Sequence, residues 1–213
     1  MVEKFLNMAK RNSVRLSGII NDLLDLSKIE AGKMDYKFAD MDINSVIDYV
    51  KPSLSGLAKE KGLNLIAEVT NELPHINGDS RRLEQVLTNL VSNAIKFTPE
   101  GKTITIRSHI ADAKQIHANE CFAEDLKKLT GQYVVVCVED EGIGISEKDL
   151  PRAFDKFAQI ENSLSRKVGG SGLGLPIAKQ LLEAHNGTIW CESELNKGSK
   201  FYFALPFSQK EKD

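Results

Sequence analysis

Cysteine is scarce in this chain, three residues among 213, and Cys121, Cys137 and Cys191 share no metal-ligand spacing. That argues against a disulfide framework and against a thiolate metal centre. Cys137 and Cys191 fall in apolar strand-like runs, so buried thiols in a reducing, cytoplasmic compartment are expected. No apolar run approaches the length that a bilayer requires, and the charged N-terminal residues Glu3, Lys4, Lys10 and Arg11 interrupt any signal-peptide core. No membrane contact by these residues is expected. Basic residues form no stripe and like charges form no block; the formal net charge is -2. Nucleic-acid binding and a charged disordered tail are therefore disfavoured. Internal repeats and low-complexity segments are lacking as well.

What is present is a core-forming chain, 41% hydrophobic, with room for one domain and an appendage. Apolar residues from Phe5 to Glu30 fall at helical intervals, densest at Leu16, Ile19, Ile20, Leu23, Leu24, Leu26 and Ile29, and Gly32 is a natural stop. An amphipathic helix of this kind must pair with a second chain or with the rest of its own. A globular part begins near Met34. Extended pieces are predicted at 36–38 and 41–43, then a helix capped by Asn44 and running to about Lys61. Residues 63–69 alternate as a strand and 71–78 read as a loop. Asp79 or Ser80 caps a helix reaching Phe97, and 103–110 and 133–138 alternate as neighbouring strands. The segment 111–132 reads as an insertion, helical near 120–129, with Phe122, Leu126 and Leu129 on one face against the sheet edge. Ser146 is expected to cap a helix through Phe154, and Pro176 to lie in the first turn of a helix ending before His185. Strands at 188–193 and 199–206 close the domain.

Three groups of residues suggest chemistry. On the helix 83–97, Leu83, Val86, Leu87, Leu90, Val91, Ala94 and Ile95 form the buried face, and Asn89, Asn93, Lys96 and Phe97 form a second surface beside it. An Asn oxygen suits Mg²⁺, Lys96 suits a phosphate and Phe97 suits an aromatic base; an ordinary solvated helix edge would carry the same residue types. Asp140 stands at a strand end, followed by Gly142, Gly144 and Ile145. Its carboxylate can accept a hydrogen bond from the exocyclic amine of adenine, and the glycines let backbone approach a base closely. A tight strand-to-helix turn would use the same residues. The third group, Gly170-Ser171-Gly172-Leu173-Gly174-Leu175, opens a helix. It is neither a P-loop nor a dinucleotide fingerprint, but free N–H groups and the helix dipole would face a phosphate there, with Arg166 and Lys167 nearby. The competing reading is a glycine-rich hinge.

In this order the groups resemble the ATP-binding catalytic domain of sensor histidine kinases, within the gyrase, MutL and histidine-kinase ATPase superfamily. Gln85-Val86-Leu87-Thr88-Asn89-Leu90-Val91-Ser92-Asn93-Ala94-Ile95-Lys96-Phe97 matches the N box. Asp140-Glu141-Gly142-Ile143-Gly144-Ile145 matches the first glycine box, Phe154-Asp155-Lys156-Phe157 the F box, and Gly170 to Leu175 the second glycine box. The resemblance implies an α/β fold, an α+β two-layer sandwich whose mixed sheet is covered on one face by helices, preceded here by one long N-terminal helix. It implies ATP and Mg²⁺ as ligands. Asn93 would hold the metal, Asn89 and Lys96 would lie near the phosphates, and Phe97 and Asp140 would meet the adenine. Phe154 and Phe157 would anchor a lid spanning about 158–171.

Hydrolytic members of the superfamily carry a Glu one helical turn before the metal-binding Asn, as general base. Asn89 stands there in this chain and cannot take a proton from water, which favours a kinase over an ATPase. Kinases of this kind also carry an acceptor His with an acidic neighbour on the first helix of a dimerising hairpin. Here His75, His109, His117 and His185 all lie elsewhere, and residues 1–32 resemble the second helix of that hairpin. The expectation is a kinase cut between the two helices, with 33–213 the catalytic domain. Its partners would be the acceptor-His helix, a response regulator and a second copy through the N-terminal helix. An acceptor-less regulatory module is the alternative.

Overall fold

The computed structural model describes residues 2–117, 130–158 and 171–207. Helix α1 (Val2–Glu30) ends as its glycine implies: Gly32 takes φ +63°, and Lys33 N–H reaches back to the Lys28 carbonyl at 2.8 Å. That 6→1 bond satisfies a carbonyl the helix leaves open. The following residues 33–38 are irregular. The strand predicted at 36–38 lies further on, as β1 (Ala39–Met41), paired antiparallel with β3 (Ile76–Gly78) in a two-stranded ribbon. The latter falls within the stretch read as a loop; three residues are too few for alternation to register.

Helix α2 (Ile43–Glu60) is capped by Asp42, not by Asn44. The Asp42 carboxylate accepts from Asn44 N–H at 2.9 Å. Asn44 is used across the fold instead, donating Nδ2 to the Thr70 carbonyl and accepting from Ser108 Oγ. After β2 (Asn64–Val69), helix α3 (Ser80–Phe97) starts on Asp79. One oxygen of Asp79 accepts from Arg82 N–H and the other from Lys37 N–H. The cap therefore also fixes the segment that leads in from α1.

The main sheet has five strands in the order β2-β4-β5-β7-β6, where β4 is Thr103–Asp112, β5 Gln132–Asp140, β6 Thr188–Glu194 and β7 Gly198–Pro206. The β2–β4 pair is parallel and the rest antiparallel, so the sheet is mixed. Val134, Val136 and Val138 of β5, with Phe203 and Leu205 of β7, share a core with the buried faces of α2, α3 and α5 (Gly174–Ala184). The opposite face answers in charge. Arg107 lies between Glu68 and Glu139, Lys200 pairs with Glu139, and Tyr202 O–H donates to Glu192. One end of that face is apolar: Trp190 stacks on Tyr202 at 5.0 Å, beside Ile116 of the short helix α4 (Ala113–His117). The helix read at 120–129, with Cys121, lies outside the described residues. Cys137 and Cys191 are buried and form no disulfide, and burial pushes the Cys137 thiol up to about 12.

Beyond Ser146 the expected helix is replaced by turns and one 3-10 turn, Leu150–Arg152. Pro151 lacks the N–H that a helix begun at Ser146 would bond to the Glu147 carbonyl, and it sits in the first turn of the short 3-10 helix instead. Ser146 instead closes a local turn, its carbonyl accepting from Asp149 N–H and its Oγ donating to the Asp149 carboxylate. Helix α5 ends at His185, whose ring is buried. Its Nδ1 donates to the Leu181 carbonyl and its Nε2 accepts from Asp79 N–H, a structural role.

Helix α1 meets the rest of the protein through its C-terminal part, where Leu26 is buried and Ile29 is packed against the core. Val2, Phe5, Leu6, Met8, Leu16, Ile20, Leu23 and Leu24 are exposed. Among the described residues no helix is long and apolar enough to cross a membrane.

Candidate functional site

The two-stripe pattern of α3 has a direct spatial counterpart. Its apolar stripe is buried, and Asn89, Asn93, Lys96 and Phe97 form one wall of a cavity of about 300 Å³. Asp140 closes one end with Ile143, Gly144 and Ile145, joined by Ser199 and Phe201 of β7. Ser171, Gly172, Gly174 and Leu175 form the wall facing Asn89. The cavity thus gathers residues from three separated motifs.

The last turn of α3 is held from below. Lys61 donates its Nζ to the carbonyls of Ile95 and Lys96 at 2.6 and 2.8 Å. A cation there satisfies open carbonyls and opposes the negative end of the helix dipole. Burial of the ammonium pulls the Lys61 pKa down. The same turn carries Lys96, whose Nζ lies 4.8 Å from the Phe97 ring centroid, and Phe97, whose carbonyl accepts from Ile143 N–H.

Asp140 is 6% exposed. Burial pushes its carboxyl up to about 6, against the lowering effect of hydrogen bonds from the backbone N–H groups of Gly142 and Ser199. The Gly142 bond is 2.8 Å long. Gly142 does not reach the cavity wall. A Cβ there would run into the Asp140 carboxylate and come within 2.9 Å of the Phe97 carbonyl. Its smallness serves the approach of these two groups and not that of a ligand. Gly144 does line the cavity, but its φ of +67° and the Glu194 carbonyl behind it are what exclude a side chain. Behind Asp140, Ile145 N–H donates to Ser193 Oγ, which donates to the Gly198 carbonyl. Ser199 Oγ, 2.9 Å away, is therefore the donor to Ser193.

Across the cavity, Asn89 Nδ2 donates to the Gly174 carbonyl at 3.1 Å. Helix α5 has Leu173 at its N-cap with no cap from its own side chain; Leu173 N–H donates to Ser171 Oγ at 3.2 Å, and among the described residues no side chain accepts from the N–H groups of Gly174 and Leu175. Leu173 itself is fully buried in the core. Gly172, at φ +69°, accepts from Phe157 N–H. Phe154 packs edge-on against Phe201 at 6.5 Å and so braces a wall residue without lining the cavity. Phe157 is 61% exposed, at φ +61°. Arg166, Lys167 and Gly170 lie outside the described residues.

Asp22, Ser92, Ala94, Ile143, Ala153, Pro176, Ser199 and Phe201 also line the wall, beyond the residues expected from sequence. Ser199 follows Gly198 directly opposite Asp140 in the β5–β7 register, a pairing that no one-dimensional pattern displays. Asp22 lies far away in sequence, and only the docking of α1 brings it in. Among the described residues, no cluster of three or more His, Cys, Asp or Glu side chains is placed to hold a metal.

Residues 78–209 match the family described as histidine kinase-, DNA gyrase B- and HSP90-like ATPase. The chain is 40% identical over 208 residues to hybrid signal transduction histidine kinase L of Dictyostelium discoideum, covering 96% of this chain and 11% of that protein. It is 38% identical over 210 residues to the sensor protein GacS of Pseudomonas syringae pv. syringae, covering 98% and 22%. It therefore spans less than a quarter of either relative. Full-length ShkA, crystallised with AMPPNP, superposes with a TM-score of 0.76 at 27% identity, over 97% of this chain and 39% of that one.

Proposed function

The chain belongs to the histidine kinase-, DNA gyrase B- and HSP90-like ATPase family, with the ATP-binding catalytic domain of sensor histidine kinases, and we propose that it transfers the ATP γ-phosphoryl group to a histidine on a separate segment. The observation that carries this is the engagement of Asn89. Its amide is fixed on the Gly174 carbonyl, at the position where the resemblance gives hydrolytic relatives their Glu. An amide cannot deprotonate water. Bound ATP then persists until an acceptor is presented, and phosphoryl transfer needs little beyond positioning and charge stabilisation.

In this reading Asp140 accepts from the adenine amine, and Phe97, Gly144 and Ile145 flank the base. Asn89, Lys96 and the open N–H groups of α5 lie along the phosphates. Ser171, Gly172, Gly174 and Leu175 shape that end, and Arg166, Lys167 and Gly170 belong to the lid. Asn93 supplies one hard oxygen to Mg²⁺, which takes its other ligands from phosphate and water. A half-buried amide on the cavity wall fits that donor set. Phe154 and Phe157 hold the base of the lid. Residues 1–32 serve as the second helix of a dimerising hairpin and 33–213 as the catalytic domain. The acceptor would sit on the partner helix and pass its phosphoryl group to a response regulator, on the cytoplasmic side where ATP is available.

The test mixes γ-labelled ATP and Mg²⁺ with this chain and a separate hairpin fragment bearing an acceptor His. Acid-labile label on that fragment is the expected result. Tight ATP binding with neither transfer nor hydrolysis would favour the regulatory module. Steady phosphate release without acceptor would remove the argument from Asn89.

A further inference from the structure

Helix α1 docks on the catalytic domain along one stripe, Asp22, Asp25, Leu26, Ile29 and Glu30, at spacings of three and four. Its carboxylates are answered unequally. Asp25 accepts from Gln85 Nε2 at 2.8 Å and lies 3.8 Å from the Arg82 guanidinium, and Glu30 pairs with Lys156 Nζ. Asp22 receives a hydroxyl, from Ser171 Oγ at 2.8 Å. No cation is paired with it among the described residues, and Asp25 on its own helix adds to the negative field. Partial burial and that neighbour both raise the Asp22 pKa.

If the stripe served docking alone, a basic partner would be the expected answer at Asp22, as it is at Asp25 and Glu30. The location supplies a different reason. Asp22 lines the nucleotide cavity beside Ser171, at the end where Asn89 and the uncapped start of α5 meet and away from Asp140. A helix start with free N–H groups draws negative charge. Asp22 therefore sets a fixed carboxylate beside the place where a polyphosphate would end, and ties up the Ser171 hydroxyl there.

We propose that Asp22 discriminates between nucleotides by charge, opposing the terminal phosphates of ATP while leaving the adenosine end of the cavity unaffected. This rests on the reading that the cavity takes adenine nucleotides. Undocking of α1 would remove the opposing charge, so the position of the first helix sets how tightly ATP is held relative to ADP. Like charges several ångströms apart in a partly desolvated site repel appreciably, and salt weakens the effect.

The test is calorimetric titration of the full chain with adenosine, ADP and ATP, each with Mg²⁺, for the wild type, Asp22→Asn and Asp22→Ala at low and high salt. Asn keeps an acceptor for Ser171 and removes the charge. The expected result is unchanged adenosine affinity, a small gain for ADP and roughly a tenfold gain for ATP in both variants, shrinking at high salt. The adenosine titration also shows that each variant retains a folded site. Equal effects on all three ligands, or no gain for ATP where adenosine still binds, would overturn the charge role alone. A fall in ATP affinity in Asp22→Asn would make the residue a ligand through the metal and also overturn it. If the wild type bound none of the three, the adenine-nucleotide reading itself would fall, and the proposal with it.

Discussion

Asn89 and Gly174 join the two walls of the cavity, the amide of one donating to the carbonyl of the other at 3.1 Å. The bond links the middle of α3 to the first residue of α5, so the polar stripe and the second glycine cluster are held in one geometry. Asn89→Ala breaks it with little loss of packing, because the side chain is only half-buried. The expected cost is about 1 kcal/mol of stability, a fall of about 2–4 °C in melting temperature for a domain of this size. Nucleotide affinity should fall with it. An unchanged melting curve and unchanged affinity would show that the two walls are positioned independently.

Asp140 gives the site a pH dependence whose sign follows from its burial. Its folded pKa, about 6, stands above the ordinary value of 3.8, so between these values the folded state binds more protons than the unfolded one. Stability of the ligand-free protein should therefore fall as pH rises from about 4 to 6, by on the order of 2–3 kcal/mol, and level off above that. An adenine amine needs the ionised carboxylate as acceptor, so ATP affinity should move the opposite way, rising from pH 5 to 7. Titrations in buffers of different ionisation enthalpy should detect proton release on binding near pH 6. Asp140→Asn should abolish the stability slope and weaken ATP binding more than tenfold, since a neutral amide is a weaker acceptor than a carboxylate. A binding curve flat from pH 5 to 7 would remove Asp140 from adenine recognition.

Much of this arrangement is legible in the amino-acid sequence itself. The periodicity of α3, the cap at Asp79, the stop at Gly32 and the neighbouring strands β4 and β5 all rest on local physics that short windows carry. The misses have local causes too. Pro151 overrides a plausible Ser146 cap, Asp42 competes with Asn44 for the same helix start, and β3 is too short to alternate. The wall residues Ser199 and Asp22 were invisible for another reason. Each is placed by an antiparallel register or a docked helix, which spacing along the chain does not encode. Even the glycines were legible in identity and not in cause, since Gly142 makes room for Asp140 and Gly144 for the Glu194 carbonyl.

That difference in cause separates glycines that look alike in sequence. Gly144 combines a left-handed φ with a carbonyl where a Cβ would be, and Gly144→Ala should cost about 3 kcal/mol or more. Gly174 has neither feature: the nearest atom to a built Cβ is the Asn89 amide carbon at 3.5 Å. Gly174→Ala should change stability by about 0.5 kcal/mol or less. Urea denaturation of both variants would check the contrast. Equal destabilisation would mean that the second cluster is constrained by more than its backbone shows.

The exposed face of α1 bears on assembly. Leu16, Ile20, Leu23 and Leu24 are 59%, 48%, 48% and 52% exposed, and Phe5, Leu6 and Met8 continue the apolar surface toward the start of the helix. The docked stripe lies elsewhere on the helix and is mostly polar, so contact with the catalytic domain does not satisfy these side chains. Burying them against a second copy would remove several large side chains from water at roughly 1.5–3 kcal/mol each when fully buried, enough to hold a dimer against the entropy of association. Leu16→Glu with Ile20→Glu should therefore halve the mass measured by light scattering and leave ATP binding intact, because neither residue lines the cavity. Deletion of residues 1–30 should also give a monomer, with ATP affinity raised by the loss of Asp22. A dimer that survives both changes would place the interface on the catalytic domain, and α1 would then need another partner for its apolar face.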